Sequence, residues 1–318
     1  MPIGGSSIDA RLTRLAVQRG VNNKFAHPMV PSIQHVAEDG KYESWDAGLW
    51  AGDASAPDAQ MGRRQIGGEY QSFDFSISAV SFRMEEFYSY KEFDFREGHF
   101  STGTEVFEKA IGAVNKRHAI ARELACKDLF FGTGNWTNTV VGAGDKFDNA
   151  ASNPSGYIRE RWSSIGKSAA GMDGVKTMFM TVDIRDALAQ HAQFTKLDPM
   201  AEVTGFATHE TMAAAMHVAP ERLVILEAAY NEQRQGETAS YNWIWSDKYI
   251  WMGYLPENID ADTQTAAAYI HMGPDTPTVR RGELDNGQKH VRWMRESSIG
   301  VYKAVDTAAA ELLTGVIT

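Results

Sequence analysis

One uninterrupted helical period dominates the sequence. From about residue 103 to 131, Phe107, Ile111, Val114, His118, Ala121, Leu124 and Ala125 recur at the spacing of one helix face. Thr102 and Glu105 stand at capping-box spacing before it, and Gly132 follows it as a C′ residue would. A helix of that length spans roughly 40 Å, which is long for a globular domain. Such a rod usually serves as a spine, and the other elements must be arranged around it.

Strand and helix signals alternate on both sides of this segment. From Phe73, the residues Phe73, Phe75, Ile77 and Ala79 share one face and Asp74, Ser76 and Ser78 the other. The phase slips at Val80–Phe82, as a bulge would cause. After a Gly/Asn-rich loop at 132–152, Asn153 and Pro154 form an N-cap and an N1 proline. Tyr157, Ile158, Trp162, Ile165 and Ala169 then follow at helical period up to Gly171. VKTMFMTV (175–182) predicts a strand, capped by Asp183 into the helix IRDALAQH. HETMAAAMH predicts a further helix before the strand RLVILEA (222–228). NWIWSDKYIWMGYL (242–255) reads as a hairpin turning at Ser246–Asp247. VRRGELDNGQKHVRWM and SIGVYKAV read as strands, with a short terminal segment after them. The fold class is α+β, with helices and strands interleaved.

Composition narrows the function. The chain has 318 residues, 43% hydrophobic and 23% charged, a globular balance with room for two domains. No apolar run approaches the roughly 20 residues of a membrane-spanning helix. The start, MPIGGSSIDARLTR, lacks the apolar stretch of a secretory signal. One cysteine, Cys126, excludes an internal disulfide framework and fits a reducing compartment. A net charge of −10 argues against nucleic-acid binding by the whole surface. Residues 1–26 depart from that average, with Arg11, Arg14, Arg19 and Lys24 against a single acid, Asp9. Two readings stand for them: a solvated arm, or an arm facing a polyanion at the inner face of an assembly.

Fragments that invite an enzymatic reading fail on spacing or context. Gly166-Lys167-Ser168 copies the end of a phosphate-binding loop, but Arg161 stands where the first glycine is needed, and the segment reads as helix rather than a loop after a strand. GTG at 132–134 and GAG at 142–144 lack a third glycine and follow a helix. His209-Glu210 is followed by His217 at i+8, not by a histidine at i+4, so a capped surface helix outweighs a zinc site. Glu85 and Glu86 are adjacent and would point to opposite faces of a strand. Cys126 reads as a small buried hydrophobe. No catalytic, cofactor or metal constellation is expected.

Two extensions are harder to place in a monomer. Residues 1–45 read as an extended arm, Pro28 and Pro31 interrupting any helix beyond a short one near 8–18, and residues 46–82 as a hairpin whose first part, 46–72, has too few large apolar residues for a core. An isolated hairpin is marginal in water, and Trp45, Trp50, Tyr70 and Phe73 exposed on such an arm would promote aggregation. Arms of this kind are stable when they lie on a neighbouring subunit, and such contacts are heterologous and close into rings or shells. The residues alone therefore point to an assembly protein.

The order of segments resembles the major capsid proteins of tailed bacteriophages with the Hong Kong 97-type fold, over most of residues 20–318. FAHPMVPSIQHVAEDGKYESWD resembles the family's passage from arm to loop. SFRMEEFYSYKEFDFREG resembles the strand that returns from the extended E-loop into the spine helix, and AIARELACKDLFFGTGNW the end of that spine. FDNAASNPSGYIRERWSSIGKSAAG resembles the next helix. MFMTVDIRDALAQH and FATHETMAAAMHVAPERLVILEAAYN resemble the centre of the A-domain.

The resemblance implies an N-terminal arm over 1–45, an E-loop over 46–82 and a P-domain over 83–150 that carries the spine helix. It further implies an A-domain over 151–271, P-domain return strands over 272–298 and a return to the A-domain over 299–318. It implies a non-enzymatic subunit that self-assembles as pentamers and hexamers into the icosahedral head around double-stranded DNA. Assembly would take place in the host cytoplasm with a scaffolding protein and a portal at one vertex, with decoration proteins as a further candidate partner, and no membrane. Residues 46–82 contain no lysine, so the E-loop crosslinks of some members are not expected. Met1 is followed at once by arm-like sequence, so a separate scaffolding protein is expected. Cohesion then falls to ordinary contacts. The candidates are Trp50, Arg63, Arg64 and Tyr70 on the E-loop, and a mixed-charge turn near Arg280, Arg281, Glu283 and Asp285. Arg11, Arg14, Arg19 and Lys24 would form the inner-face basic arm. An encapsulin-type nanocompartment shell shares the fold and is the alternative. A small oligomeric α+β enzyme and a decoration or tail protein are the more distant ones.

Overall fold

Strands with continuous apolar runs and strands with mixed patterns sort into different sheets. The computed structural model describes residues 7–8, 25–34, 39–45, 77–94, 104–168, 174–231, 238, 240–256, 267–272, 278–285 and 290–318. Strands β1 (Ser7–Ile8), β2 (Ser32–Gln34), β3 (Asp39–Trp45), β4 (Ile77–Arg83) and β5 (Glu85–Asp94) precede helix α1 (Thr104–Phe130). Then come β6 (Thr137–Val140), α2 (Pro154–Ser168), β7 (Val175–Thr181) and α3 (Val182–Gln190). The single turns α4 (Ala192–Thr195) and α5 (Ala201–Thr204) lead to α6 (His209–Ala215). The remainder is β-rich: β8 (Leu223–Leu226), β9 (Ala229–Asn231), β10 (Tyr241–Trp243), β11 (Ile250–Leu255) and β12 (Ala268–Met272). It ends with β13 (Thr278–Asp285), β14 (His290–Ala304) and β15 (Ala310–Thr314).

The five-stranded sheet has the order β6-β15-β11-β7-β8. β11 lies at its centre, antiparallel to β7 and β15, while β8 and β6 run parallel to β7 and β15. Nearly every residue of VKTMFMT, IWMGYL and AELLT is buried, so these runs are mostly apolar on both faces instead of alternating. Trp251 packs against Phe130 at 4.7 Å, Phe179 at 5.1 Å and Trp136 at 5.6 Å between ring centroids. The end of α1 reaches this core through Cys126, Leu129 and Phe130.

The second sheet is built on β14, which pairs antiparallel with β13, β12 and β5; β1 adds to β13 and β2 adds parallel to β12. α1 packs on β5 and β14. Its C-terminal carbonyls are capped by side chains: the Asn135 amide donates to Asp128 O at 3.0 Å and Leu129 O at 2.9 Å, and the Trp136 indole to Leu129 O at 2.8 Å. Gly132 is needed for space, since a Cβ there would strike Asp128 O and the Asn135 side chain. It does not adopt the left-handed backbone expected of a C′ glycine.

Several local expectations change. NWIWSDKYIWMGYL is not a hairpin: β10 pairs with β9, and β11 is claimed on both sides by β7 and β15. The 132–152 loop contains β6, and the short terminal segment is β15, a fully buried strand of the core sheet. VRRGELD and HVRWMRESSIGVYKA pair with each other, the second as one strand of 15 residues. Thr181, not Asp183, is the N-cap of α3, with Asp183 inside the first turn, where its charge suits the helix N-terminus. The ladder β3–β4 runs in unbroken register from Asp39↔Arg83 to Trp45↔Ile77, with no bulge at Val80–Phe82. One of its strands thus falls in the expected arm. Residues 73–76 lie outside the described residues. Leu124 is 39% exposed, because beyond His118 the buried stripe of α1 moves to Glu123, Cys126, Leu129 and Phe130.

Candidate functional site

The long helix buries polar groups, His118 within the stripe expected from the sequence and Glu123 outside it. Glu123 is fully buried, and four donors converge on its carboxylate. The Ala26 amide donates to Oε1 at 2.7 Å and the Trp245 indole to the same oxygen at 2.8 Å. The His27 amide donates to Oε2 at 3.2 Å and the His27 Nδ1–H at 3.1 Å. A buried carboxylate is tolerated when its lone pairs are filled in this way. Glu123 thereby ties the segment 25–30 to α1 and to the Trp245 loop. Burial, with Arg122 beside it, pushes the His27 pKa below its usual value despite the Glu123 hydrogen bond, which works the other way. Burial also pushes the Cys126 thiol well up, which makes it an inert packing group.

One to two turns earlier, α1 meets the β14 sheet through a second buried set. His118 Nδ1 lies 3.3 Å from Glu296 Oε1, and Nε2 lies 2.8 Å from Ser298 Oγ. The Asn115 amide, with its nitrogen turned toward them, donates to Ile111 O at 3.3 Å and to Glu296 Oε2. Arg122 Nε donates to Tyr302 OH at 3.2 Å. Both polar sets escaped sequence reading. The one available signal was a His at a stripe position that an apolar residue would ordinarily fill.

Of the expected contact residues, Arg280, Arg281, Glu283 and Asp285 lie in strand β13, not in a turn. The alternation of VRRGELD pairs them with β14, in register Arg280↔Arg295, Arg281↔Met294, Glu283↔Arg292 and Asp285↔His290. β1 pairs with the other edge of β13 at Arg280 and Arg281, so this chain's own arm occupies that edge. Trp50, Arg63, Arg64, Tyr70, Arg11, Arg14, Arg19 and Lys24 lie outside the described residues.

The enzyme-like fragments fall in ordinary settings. Gly166-Lys167-Ser168 forms the last turn of α2. His209 opens α6 with Nε2 2.9 Å from Pro220 O, and His217 follows that helix at φ 58°. Among the described residues, no group of three or more His, Cys, Asp or Glu could hold a metal ion, and no helix is long and apolar enough to cross a membrane.

No protein-family model matches the chain, and no curated protein matches it. Solved structures do match. A phage-related protein of Bordetella bronchiseptica RB50 shares 15% identity, with 98% of each chain covered and a TM-score of 0.70. The subunit of a bacteriophage PhiM1 mature capsid shares 8% identity, covering 92% of this chain and 87% of that one, at a TM-score of 0.55. The subunit of a virus-like particle from Pyrococcus furiosus shares 11% identity over 96% of this chain and 98% of that one, at 0.54. The mixed α+β fold of this chain is therefore the fold seen in phage capsid and virus-like-particle subunits.

Proposed function

We propose that the chain is the major capsid protein of a tailed bacteriophage, a structural and non-catalytic subunit. It assembles as pentamers and hexamers into an icosahedral head around double-stranded DNA. The observation that carries this reading is a fold likeness over nearly the whole chain, not over one module, to a mature phage capsid subunit and a virus-like-particle subunit.

On this reading α1 is the spine helix of the P-domain, and β3 and β4 are the base of the E-loop hairpin. The five-stranded sheet is the core of the A-domain, to which β6 also belongs because it pairs with β15. The assignments to 1–45, 46–82, 83–150, 151–271, 272–298 and 299–318 otherwise stand as proposed. Trp50, Arg63, Arg64 and Tyr70, with the charged strand from Arg280 to Asp285, supply contacts between subunits. Arg11, Arg14, Arg19 and Lys24 face the packaged DNA. A separate scaffolding protein and a portal are the partners required in the host cytoplasm.

The test is electron microscopy of the full chain, expressed alone and with the scaffolding protein from its own genome. Shells or capsomer rings are expected, and particles from infected cells should hold double-stranded DNA. Shells filled with a cargo enzyme would move the protein to the nanocompartment class. A monodisperse monomer under every condition would overturn the shell reading.

A further inference from the structure

The most exposed apolar surface among the described residues lies on a tip between α3 and α6. Leu197, Met200, Val203 and Phe206 are each more than half exposed, Val203 at 84%. They recur every three residues through turns and the α5 helix, so the local backbone holds them together. Their combined exposed area is on the order of 500 Å², the upper range for a patch on a monomer.

This tip is held rigidly. Asp198 Oδ1 accepts from the Met200 amide at 2.9 Å, and Oδ2 from the Thr208 amide at 2.5 Å, so one carboxylate fixes both ends of the loop. Those bonds draw the Asp198 pKa down to about 2. Gly205 closes α5 in the left-handed region at φ 77°, and Thr204 Oγ1 donates to Phe206 O at 2.9 Å. The Ala207 amide donates to Ala189 O at 2.9 Å and anchors the tip on α3. Beneath it, Phe194, Ala201 and Ala207 are buried. Pre-organisation of this kind lowers the ordering cost of a contact, and it leaves the apolar side chains in water unless something covers them.

We infer that the Leu197–Met200–Val203–Phe206 tip is a contact between subunits, covered by a second copy of this chain. This rests on the shell reading above. The area selects the occupant. A stable two-body interface needs about 800 Å² from each partner, which this patch does not reach. In a closed ring, each copy makes the same small heterologous contact with its neighbour while other contacts act in parallel, and a patch of this size suffices.

Val203→Lys and Phe206→Ser test the inference in the full chain, and the exposure of both positions leaves folding intact. Circular dichroism and the melting temperature of dissociated subunits, expected to match the wild type, check this. If the wild type assembles and the variants lose at least tenfold in particle yield, the contact is supported. Unchanged yield in both variants overturns it and leaves the shell reading standing. A wild type that never assembles overturns both.

A Val203→Cys variant reads the occupant directly. Cys126 is buried, so a benzophenone maleimide labels position 203 alone. Photolysis of assembled particles should give a dimer of this chain. Crosslinks confined to one chain, or made to a different protein, would overturn the inference.

Discussion

The end of α1 lies in an apolar, dry region and its middle in a buried polar one. Around Trp251, Phe130, Phe179 and Trp136 the five-stranded sheet is filled with rings and methionines. Around His118 and Glu123 the same helix meets its neighbours through buried carboxylates, imidazoles and amides. Dispersion and burial hold the first region and tolerate any well-fitting apolar shape. The second depends on partners being present at fixed distances, because each buried polar group left unpaired is penalised. One region fixes the shape of a subunit; the other fixes how the arm and the long sheet are seated on the helix.

The largest expected effect is in the dry region. Trp251→Ala should cost about 3–5 kcal/mol in urea unfolding of dissociated subunits, because it opens a cavity bounded by three rings. The Trp251 indole N–H is buried with no hydrogen-bond partner among the described residues. Trp251→Phe should therefore cost less than half as much, since it keeps the ring and removes an unpaired donor. Equal losses for the two variants would mean that the N–H has a partner and the region is not dry.

The buried polar region should respond to chemistry rather than volume. Glu123→Ala strands the donors of Ala26, His27 and Trp245 and should cost about 3–5 kcal/mol. Glu123→Gln keeps nearly the same shape but offers a single acceptor oxygen, and should still cost about 1–3 kcal/mol. A neutral Glu123→Gln variant would reduce Glu123 to a packing residue.

The pH dependence sharpens this further. The folded pKa of His27 lies below its unfolded value of 6.5, so the unfolded chain takes up the proton first. The His27 contribution is complete above 6.5 and is lost as pH falls through 6.5 toward the folded pKa. His27→Gln should flatten the stability profile across that window. An unchanged slope would place the titrating group elsewhere.

The same contrast explains what the sequence could disclose. VKTMFMT is legible as a strand because a sheet covered on both faces selects continuous apolar runs, and Asn153-Pro154 is legible because a cap is a local event. The Asn153 side chain does accept from the Gly156 amide at 3.0 Å. Glu123 was not legible, because its donors lie 97, 96 and 122 residues away and no local spacing records them. IWMGYL misled for a related reason: its apolar run marks a buried strand but not its partners, which are β7 and β15 and not the neighbouring β10. The segment Arg280–Asp285 was recognised by its charge, yet strand and turn differ there only through pairing with a distant β14.

The smallest effect is expected at the edge between the two regions. Lys127, one turn beyond Glu123, lies 2.9 Å from Asp247, two residues past Trp245, and both side chains are partly exposed. The pair spans the same junction as the buried carboxylate but keeps its hydration, so its net worth is about 0.2–1 kcal/mol. Asp247→Asn is the better probe, because Lys127 also sits in the last turn of α1, where a cation favours the helix terminus. The loss from Asp247→Asn should fade near 1 M salt, where screening acts within about 3 Å. The loss from Glu123→Gln should persist there, because ions do not reach a fully buried carboxylate. If both losses fade with salt, water enters the junction and Glu123 does not act as a sealed clamp. If neither fades, the exposed pair is part of the buried network, and the boundary between the polar region and the surface lies further out along α1.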